Sequence, residues 1–315
     1  MTTVETVTGP VEVERLAPML YHEHITLDNR DKPGLAAYWL PKGSIMAKEL
    51  TAFAAAGGRS MVSLTNQCMG RDIIEMRRLS LLSGVKIVLA TGYYTRPASP
   101  PIRSVKALAA DFVRELTFGI GDTDIRAQVI GEVGTGAWPI GQFERDLFDA
   151  AAMAHRETGA PIATHTHGGK YAAWQLDRLM SRGVPAEKIA LGHLDEGLIS
   201  GPNYLGRLAM LARHGCFLGF DTVGITYYSE FMKRQQPSDE MRAKAVRDLV
   251  DLGLSGQILL SHDICRPDHL VQNGGWGYGH LFMRFLPLLH RTGIDPPTAL
   301  TFVGANPVRW LAGGR

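Results

Sequence analysis

A chain of 315 residues with 45% hydrophobic and 20% charged residues has enough apolar material for a full core, and it suits an α/β barrel, which needs about 250 residues. A net charge of +2 sets up no field strong enough to recruit nucleic acid or an anionic membrane, so the expected partner is a small molecule. Cys68, Cys216 and Cys265 are too few for a disulfide framework, no apolar run approaches a membrane span, and residues 1–9 carry no basic-then-apolar leader, so the chain reads as cytoplasmic.

Short apolar, β-branched runs alternate with amphipathic ones from end to end. The first strand is expected at 19–25 and a helix at 45–56, followed by strand 60–65 and helix 72–83, then strand 86–91 and helix 104–116. Strand 128–132 precedes helix 143–158, strand 161–165 precedes helix 171–181, and strand 189–193 precedes helix 204–214. Strand 217–220, helix 240–252 and strand 258–261 complete the series. Gly57-Gly58, Gly84, Gly119, Gly159, Gly183, Gly215 and Gly253 fall where those helices should stop. The glycine-rich run 274–279 and the proline-containing tail read as loop.

Strands this short and this apolar are buried on both faces, the mark of a parallel sheet covered by helices. Eight consecutive βα units suggest closure into a (β/α)8 TIM barrel forming a single domain over residues 1–315. An open doubly wound sheet is the alternative; it needs a reversal of strand order that a sequence does not display. No residue pattern recurs from unit to unit, so the spacing is that of the βα unit and not of a solenoid.

In such a barrel, chemistry sits at the carboxyl ends of the strands. His22 and His24 close strand one two residues apart, so their imidazoles share a face and can reach one metal ion. Glu132 closes strand four, His165 strand five, His193 strand six and Asp263 strand eight. One strand-end histidine or carboxylate often only caps a helix. Four histidines and two carboxylates, all at carboxyl ends and none at amino ends, point instead to a shared metal site. Of the other histidines, His155 lies within a helix, His214 and His290 lie near helix C-termini and His269 lies in a polar loop, where structural roles suffice; His167 and His262 adjoin proposed ligands and are placed to contact substrate or orient a ligand.

His22-Glu23-His24, Gly131-Glu132-Val133-Gly134, Thr164-His165-Thr166, Gly192-His193 and Ser261-His262-Asp263, in this order, resemble the phosphotriesterase family of the amidohydrolase superfamily. The likeness runs over essentially the whole chain and takes in Ala90-Thr91-Gly92-Tyr93-Tyr94, Gly219-Phe220-Asp221, the segment 275–280 and the closing Ala305-Asn306-Pro307. It implies two divalent metal ions: His22, His24 and Asp263 would hold a buried one, His165 and His193 a more exposed one, and Glu132 would bridge them. Many family members bridge with a carboxylated lysine; Glu132 takes its place here, as in the phosphotriesterase homology branch. Zinc suits the donors, and so do manganese, cobalt and iron.

By the same resemblance, a hydroxide shared by the two ions attacks a carboxylic ester, lactone or amide of a small molecule while Asp263 shuttles the proton. A phosphotriester or phosphodiester is the alternative substrate, and a non-catalytic metal- or ligand-binding barrel is a reading from another class. Tyr94 stands where lactonase members place an aromatic residue against the substrate, and Tyr93, Trp138, Trp276 and Tyr278 are candidates for the same mouth. Similar lactonases carry an arginine after the aspartate that follows strand seven; this chain has Asp221-Thr222, and Arg266 is the cation expected to serve from another side. Lys170 reads as a solvated surface charge. A homodimer is implied by the resemblance alone.

Overall fold

The structure, a computed structural model, describes residues 2–95, 103–230 and 232–312. Eight parallel strands form its centre: β1 (Met19–Glu23), β2 (Ser60–Ser63), β3 (Lys86–Thr91), β4 (Val129–Gly134), β5 (Ile162–His165), β6 (Ile189–Leu191), β7 (Phe217–Phe220) and β8 (Ile258–Leu260). Each strand pairs only with its neighbours in sequence, from β1 through to β8. There is no reversal of order, which removes the doubly wound alternative and leaves the barrel. Where β8 meets β1 the Ser261 hydroxyl takes over from the ladder, donating to the His22 carbonyl at 2.6 Å and accepting from the His22 N–H at 3.3 Å.

The helices cover the outside as the apolar periodicity requires: α1 (Ser44–Ala55), α2 (Ile73–Ser83), α3 (Val105–Thr117), α4 (Gln142–Thr158), α5 (Ala172–Met180), α6 (Tyr204–Ala212) and α7 (Asp239–Asp251). Side chains alternate along each strand, so β3 sends Ile87 and Leu89 out to meet Leu108, Phe112 and Phe148, while Val88 and Ala90 fill the barrel with Val62, Val129, Ala163, Ala190, Phe217 and Leu259. Trp310, fully buried, plugs the amino-terminal end edge-on to Tyr21. Truncating it would cost about 3–5 kcal/mol through the cavity left behind.

Two regions depart from expectation. Residues near the N-terminus form an antiparallel hairpin, Thr3–Thr6 with Gly9–Glu12, which delivers Val4 to the inner core. The tail is helical and not loop: α8 (Leu286–Arg291), α9 (Pro296–Thr301) and α10 (Ala305–Ala312) pack onto the barrel. Their start signals were local and easily passed over, since Asp295 caps α9 by accepting the Thr298 N–H at 2.9 Å and Pro296 and Pro297 occupy positions where a helix needs no donor. No helix among the described residues is long and apolar enough to cross a membrane.

Candidate metal centre

Strand register is interrupted at two places, between Leu20 and Glu23 in β1 and between Ile130 and Val133 in β4. Those irregularities fall at His22 and Glu132, where a local twist re-aims a side chain toward the barrel axis. Glu132 sits at the middle of the carboxyl end, with Oε2 3.7 Å from His22 Nε2, 3.2 Å from His165 Nδ1 and 3.5 Å from His193 Nε2, while Oε1 is 3.5 Å from His24 Nε2. Asp263 Oδ1 is 3.1 Å from His24 Nε2 and 3.8 Å from His22 Nε2. All six residues expected from the sequence therefore meet at one point. Two groupings, His22 with His24 and Glu132, and His165 with His193 and Glu132, bring their donor atoms within 4.8 Å of one another.

The donors fit a divalent cation better than they fit each other. Asp221 accepts from His22 Nδ1 at 2.8 Å and from His193 Nδ1 at 2.9 Å. A carboxylate only accepts, so both rings carry a proton there and turn Nε2, whose lone pair is the one available to a cation, toward Glu132. His24 Nδ1 is likewise engaged by the Thr65 hydroxyl at 2.8 Å. His22 Nε2 and Asp263 Oδ1 are left buried with no hydrogen-bond partner. Lone pairs facing carboxylate oxygens in a dry pocket repel, and a cation among them removes that cost. The field points the same way. Burial lowers the basicity of His22, yet Asp221 and Glu132 beside it carry its pKa up to about 10, and His193 is raised by the same carboxylates against its own burial. His165 goes down, through burial and the neighbouring His193. Positive charge is favoured at the centre, but four imidazoles with successive ring centroids 4.5–5.8 Å apart cannot all supply it as protons.

Behind the ligands stands a second set of buried charges that the sequence reading did not assign. Asp221, after β7, also accepts the His193 N–H at 2.7 Å and the Tyr21 hydroxyl, and a Cβ on Gly219 would collide with that hydroxyl. The rule that singled out Asp263, a carboxylate just past a strand end, applies equally to Asp221. Asp195 accepts the N–H groups of Asp221 and Thr222 and the Thr222 hydroxyl, and is itself paired to the fully buried Arg242 at 2.6 Å. Glu23, the middle of the His-Glu-His motif, accepts from the His262 N–H and ring and the Ile264 N–H at 2.9–3.0 Å, with the Ser261 hydroxyl oxygen 2.8 Å away. The other ring nitrogen of His262 accepts the Leu281 N–H at 3.0 Å, so His262 orients its loop and does not face the cavity. This clamp matters because Asp263 (φ 52°) and His193 (φ 56°) both adopt the left-handed conformation, which costs a side-chain-bearing residue roughly 1–2 kcal/mol. Glu23 and Asp221 hold the backbone on either side of that strain.

Above the centre lies a cavity that opens to solvent. Tyr94 and His167 line it; the Tyr94 hydroxyl is 3.3 Å from His165 Nε2, and burial together with the Glu132 charge raises its pKa well above the usual phenol value. Arg266 is not among the lining residues. Its guanidinium pairs with Asp268 at 2.6–2.9 Å and lies over the Tyr227 ring. Of the other expected aromatics, Tyr93 packs near Phe112, Trp138 donates to Glu144 at 2.7 Å, Trp276 stacks on His269 and Tyr278 donates to the His24 carbonyl. The aromatic walls are instead Tyr38 and Tyr227. His269, expected in a polar loop, is 1% exposed and takes the Tyr227 hydroxyl at 2.8 Å on the cavity wall. Lys170, at the surface, reaches the Ala137 carbonyl, and His155 is a core histidine bonded to the Ala160 carbonyl at 2.7 Å.

The family model for the phosphotriesterase family matches residues 2–311. The chain is similar to the phosphotriesterase homology protein of Escherichia coli (strain K12), 32% identical over 295 residues that cover 93% of this chain and 97% of that protein. It is 31% identical to the N-acetyltaurine hydrolase of Tetraodon nigroviridis, over 98% of this chain and 97% of the relative. Among solved structures, a resiniferatoxin-binding protein from Rhodobacter sphaeroides superposes with a TM-score of 0.90 at 30% identity, covering 99% of this chain and 96% of that one.

Proposed function

This chain belongs to the phosphotriesterase family and is a hydrolase, and from that premise we propose that it is a binuclear metal-dependent hydrolase cleaving a carboxylic ester, lactone or amide of a small molecule. One observation carries the reading: Glu132 offers one oxygen to the His24 side and the other to the His165 and His193 side, so a single carboxylate belongs to two donor sets at once. His22, His24 and Asp263 complete the inner set and His165 and His193 the outer one. Nitrogen and oxygen donors without a thiolate suit zinc, manganese, cobalt or iron. Divalent ions held by these residues would supply Lewis acidity and would lower the pKa of a water toward neutrality.

The rest is the work of the chain's own groups. Asp263 is the proton carrier: its side chain is 16% exposed at the floor of the cavity, whereas Glu132 is almost sealed. It accepts a proton from the attacking water and returns it to the departing alkoxide or amine as the C–O or C–N bond breaks. Tyr94 keeps its proton at neutral pH and stands beside His165 as a donor to the oxygen of the scissile group. No covalent bond to the protein is required. The amide is favoured as one of the three bonds by the similarity to an N-acetyltaurine hydrolase. Three free cysteines and no disulfide agree with a cytoplasmic setting.

The test is a matched panel of lactones, aryl esters, N-acyl amines and aryl phosphotriesters offered to the purified, metal-loaded protein, with elemental analysis alongside. Two ions per chain and a dominant carbonyl substrate are expected. A dominant phosphotriester rate would reverse the substrate assignment, and protein that binds no stoichiometric transition metal would end the proposal.

A further inference from the structure

Resting on the reading that this cavity receives the substrate, we propose that its outer wall is a second recognition subsite, formed by Glu196 and Gln236, that takes an ammonium group at the end of the substrate remote from the scissile bond. Glu196, on the turn after β6, lines the cavity and its carboxylate makes no hydrogen bond or ion pair among the described residues. Every other carboxylate lining the cavity belongs to the metal centre. No lysine or arginine among the described residues lines it. Of the nearby guanidiniums, Arg242 pairs with Asp195 and Arg266 with Asp268, while Arg234 donates to the Glu196 backbone carbonyl at 3.1 Å, against Gly168, and keeps its buried Nε without a partner.

Gln236 is the independent second observation. It is 3% exposed, lines the same cavity, and neither its amide oxygen nor its amide nitrogen has a partner. Such a buried amide is costly unless something completes it. Arg234, two residues before Gln236, reaches the Glu196 backbone carbonyl, and Glu196 and Gln236 line the same cavity, which thus holds an acceptor carboxylate and an acceptor amide oxygen. The rings of Tyr38, Tyr94 and Tyr227 line the same cavity, and an ammonium is the charge that aromatic faces attract. Leu35, Met69, Ile225 and Met232 suit a short methylene linker. A carboxylate or sulfonate tail would meet a like charge at Glu196, with no lysine or arginine among the described lining residues.

The experiment uses the metal-loaded protein and three N-acetyl amines of equal length: one ending in an ammonium (N-acetyl-1,4-diaminobutane), one in a methyl group, and one in a carboxylate (N-acetyl-4-aminobutanoate). Binding is followed by calorimetry and turnover is measured in parallel. The ammonium compound is expected to bind about tenfold tighter than the neutral one and the carboxylate weakest, as a charge-assisted contact in a partly dry site gives. In Glu196→Gln the ammonium-to-neutral ratio should fall to near one, and in Glu196→Lys the order should invert toward the carboxylate. Equal binding of the ammonium and neutral compounds by the unaltered protein, a preference for the carboxylate, or a ratio untouched by Glu196→Gln would each overturn the inference. If the ammonium preference follows Glu196 in binding while no ester, lactone or amide is ever cleaved, the hydrolase reading falls and the subsite stands.

Discussion

The floor and the wall of the cavity are built on opposite principles. On the floor four of the six candidate ligands are fixed from behind: Asp221 grips His22 and His193, Thr65 grips His24, and Glu23 grips both residues beside Asp263. The wall carries Glu196 and Gln236 with their polar groups uncommitted, among tyrosines and flexible apolar side chains. Chemistry needs geometry fixed before substrate arrives, and selectivity needs groups that the substrate itself completes. Changes to the floor should therefore strike kcat, metal content or stability, and changes to the wall should redistribute affinity among substrates.

The sharpest way to break that contrast is at Asp263. Asp263→Asn keeps the size of the side chain and removes the proposed proton carrier, so turnover should drop by roughly 10²–10⁴-fold with circular dichroism and thermal midpoint little changed. Unaltered turnover would take Asp263 out of its role. Next comes Arg242, which touches no ligand. Removing it leaves Asp195 as an uncompensated buried charge, so Arg242→Met should lose about 3–5 kcal/mol in denaturant unfolding. A loss under 1 kcal/mol would show that the support behind the floor is dispensable.

Asp221→Asn should be gentler in stability and more telling in function. One side chain engages a candidate ligand in each donor set, so under the proposed two-ion reading metal affinity measured by chelator competition should weaken by about 10–100-fold, with both ions affected. An effect confined to one ion would mean that the two sets are supported independently.

The floor was legible in the sequence because its residues sit at a place that the strand pattern defines. His22, His24, Glu132, His165, His193 and Asp263 each end a recognisable apolar run, and a barrel sends all such ends to one spot. The supports were less legible for a physical reason: Arg242 lies in α7 and reaches Asp195 only through the tertiary packing of helix on turn. The wall was least legible. Tyr38 and Tyr227 line the cavity while Trp138 and Trp276 turn to other partners, and that choice depends on loop paths that no periodicity encodes. Arg266 shows the same thing, since Asp268, two residues away, claims a cation that its position alone offered to the substrate.

The smallest effect, and the one that isolates the wall from the floor, is the pH dependence of selectivity. Burial first, then the Asp195 charge, push the Glu196 carboxyl up to about 7 against the pull of His193 and Arg234. A carboxyl with a raised pKa is neutral below that value and charged above it. The preference for the ammonium substrate over its neutral match should thus be full above about pH 8 and fade as pH falls through 7, by at most about tenfold, while the ammonium itself stays charged throughout. His167, another titratable group lining the cavity, is held near 4, first by burial and then by the neighbouring charge of His165, so it stays neutral across that window and cannot produce the transition. Taking the ratio of kcat/KM for the two substrates cancels every ionisation of the metal centre, because both substrates share it. The ratio in Glu196→Gln should be flat with pH; a flat ratio in the unaltered protein would show that the wall recognises shape and not charge.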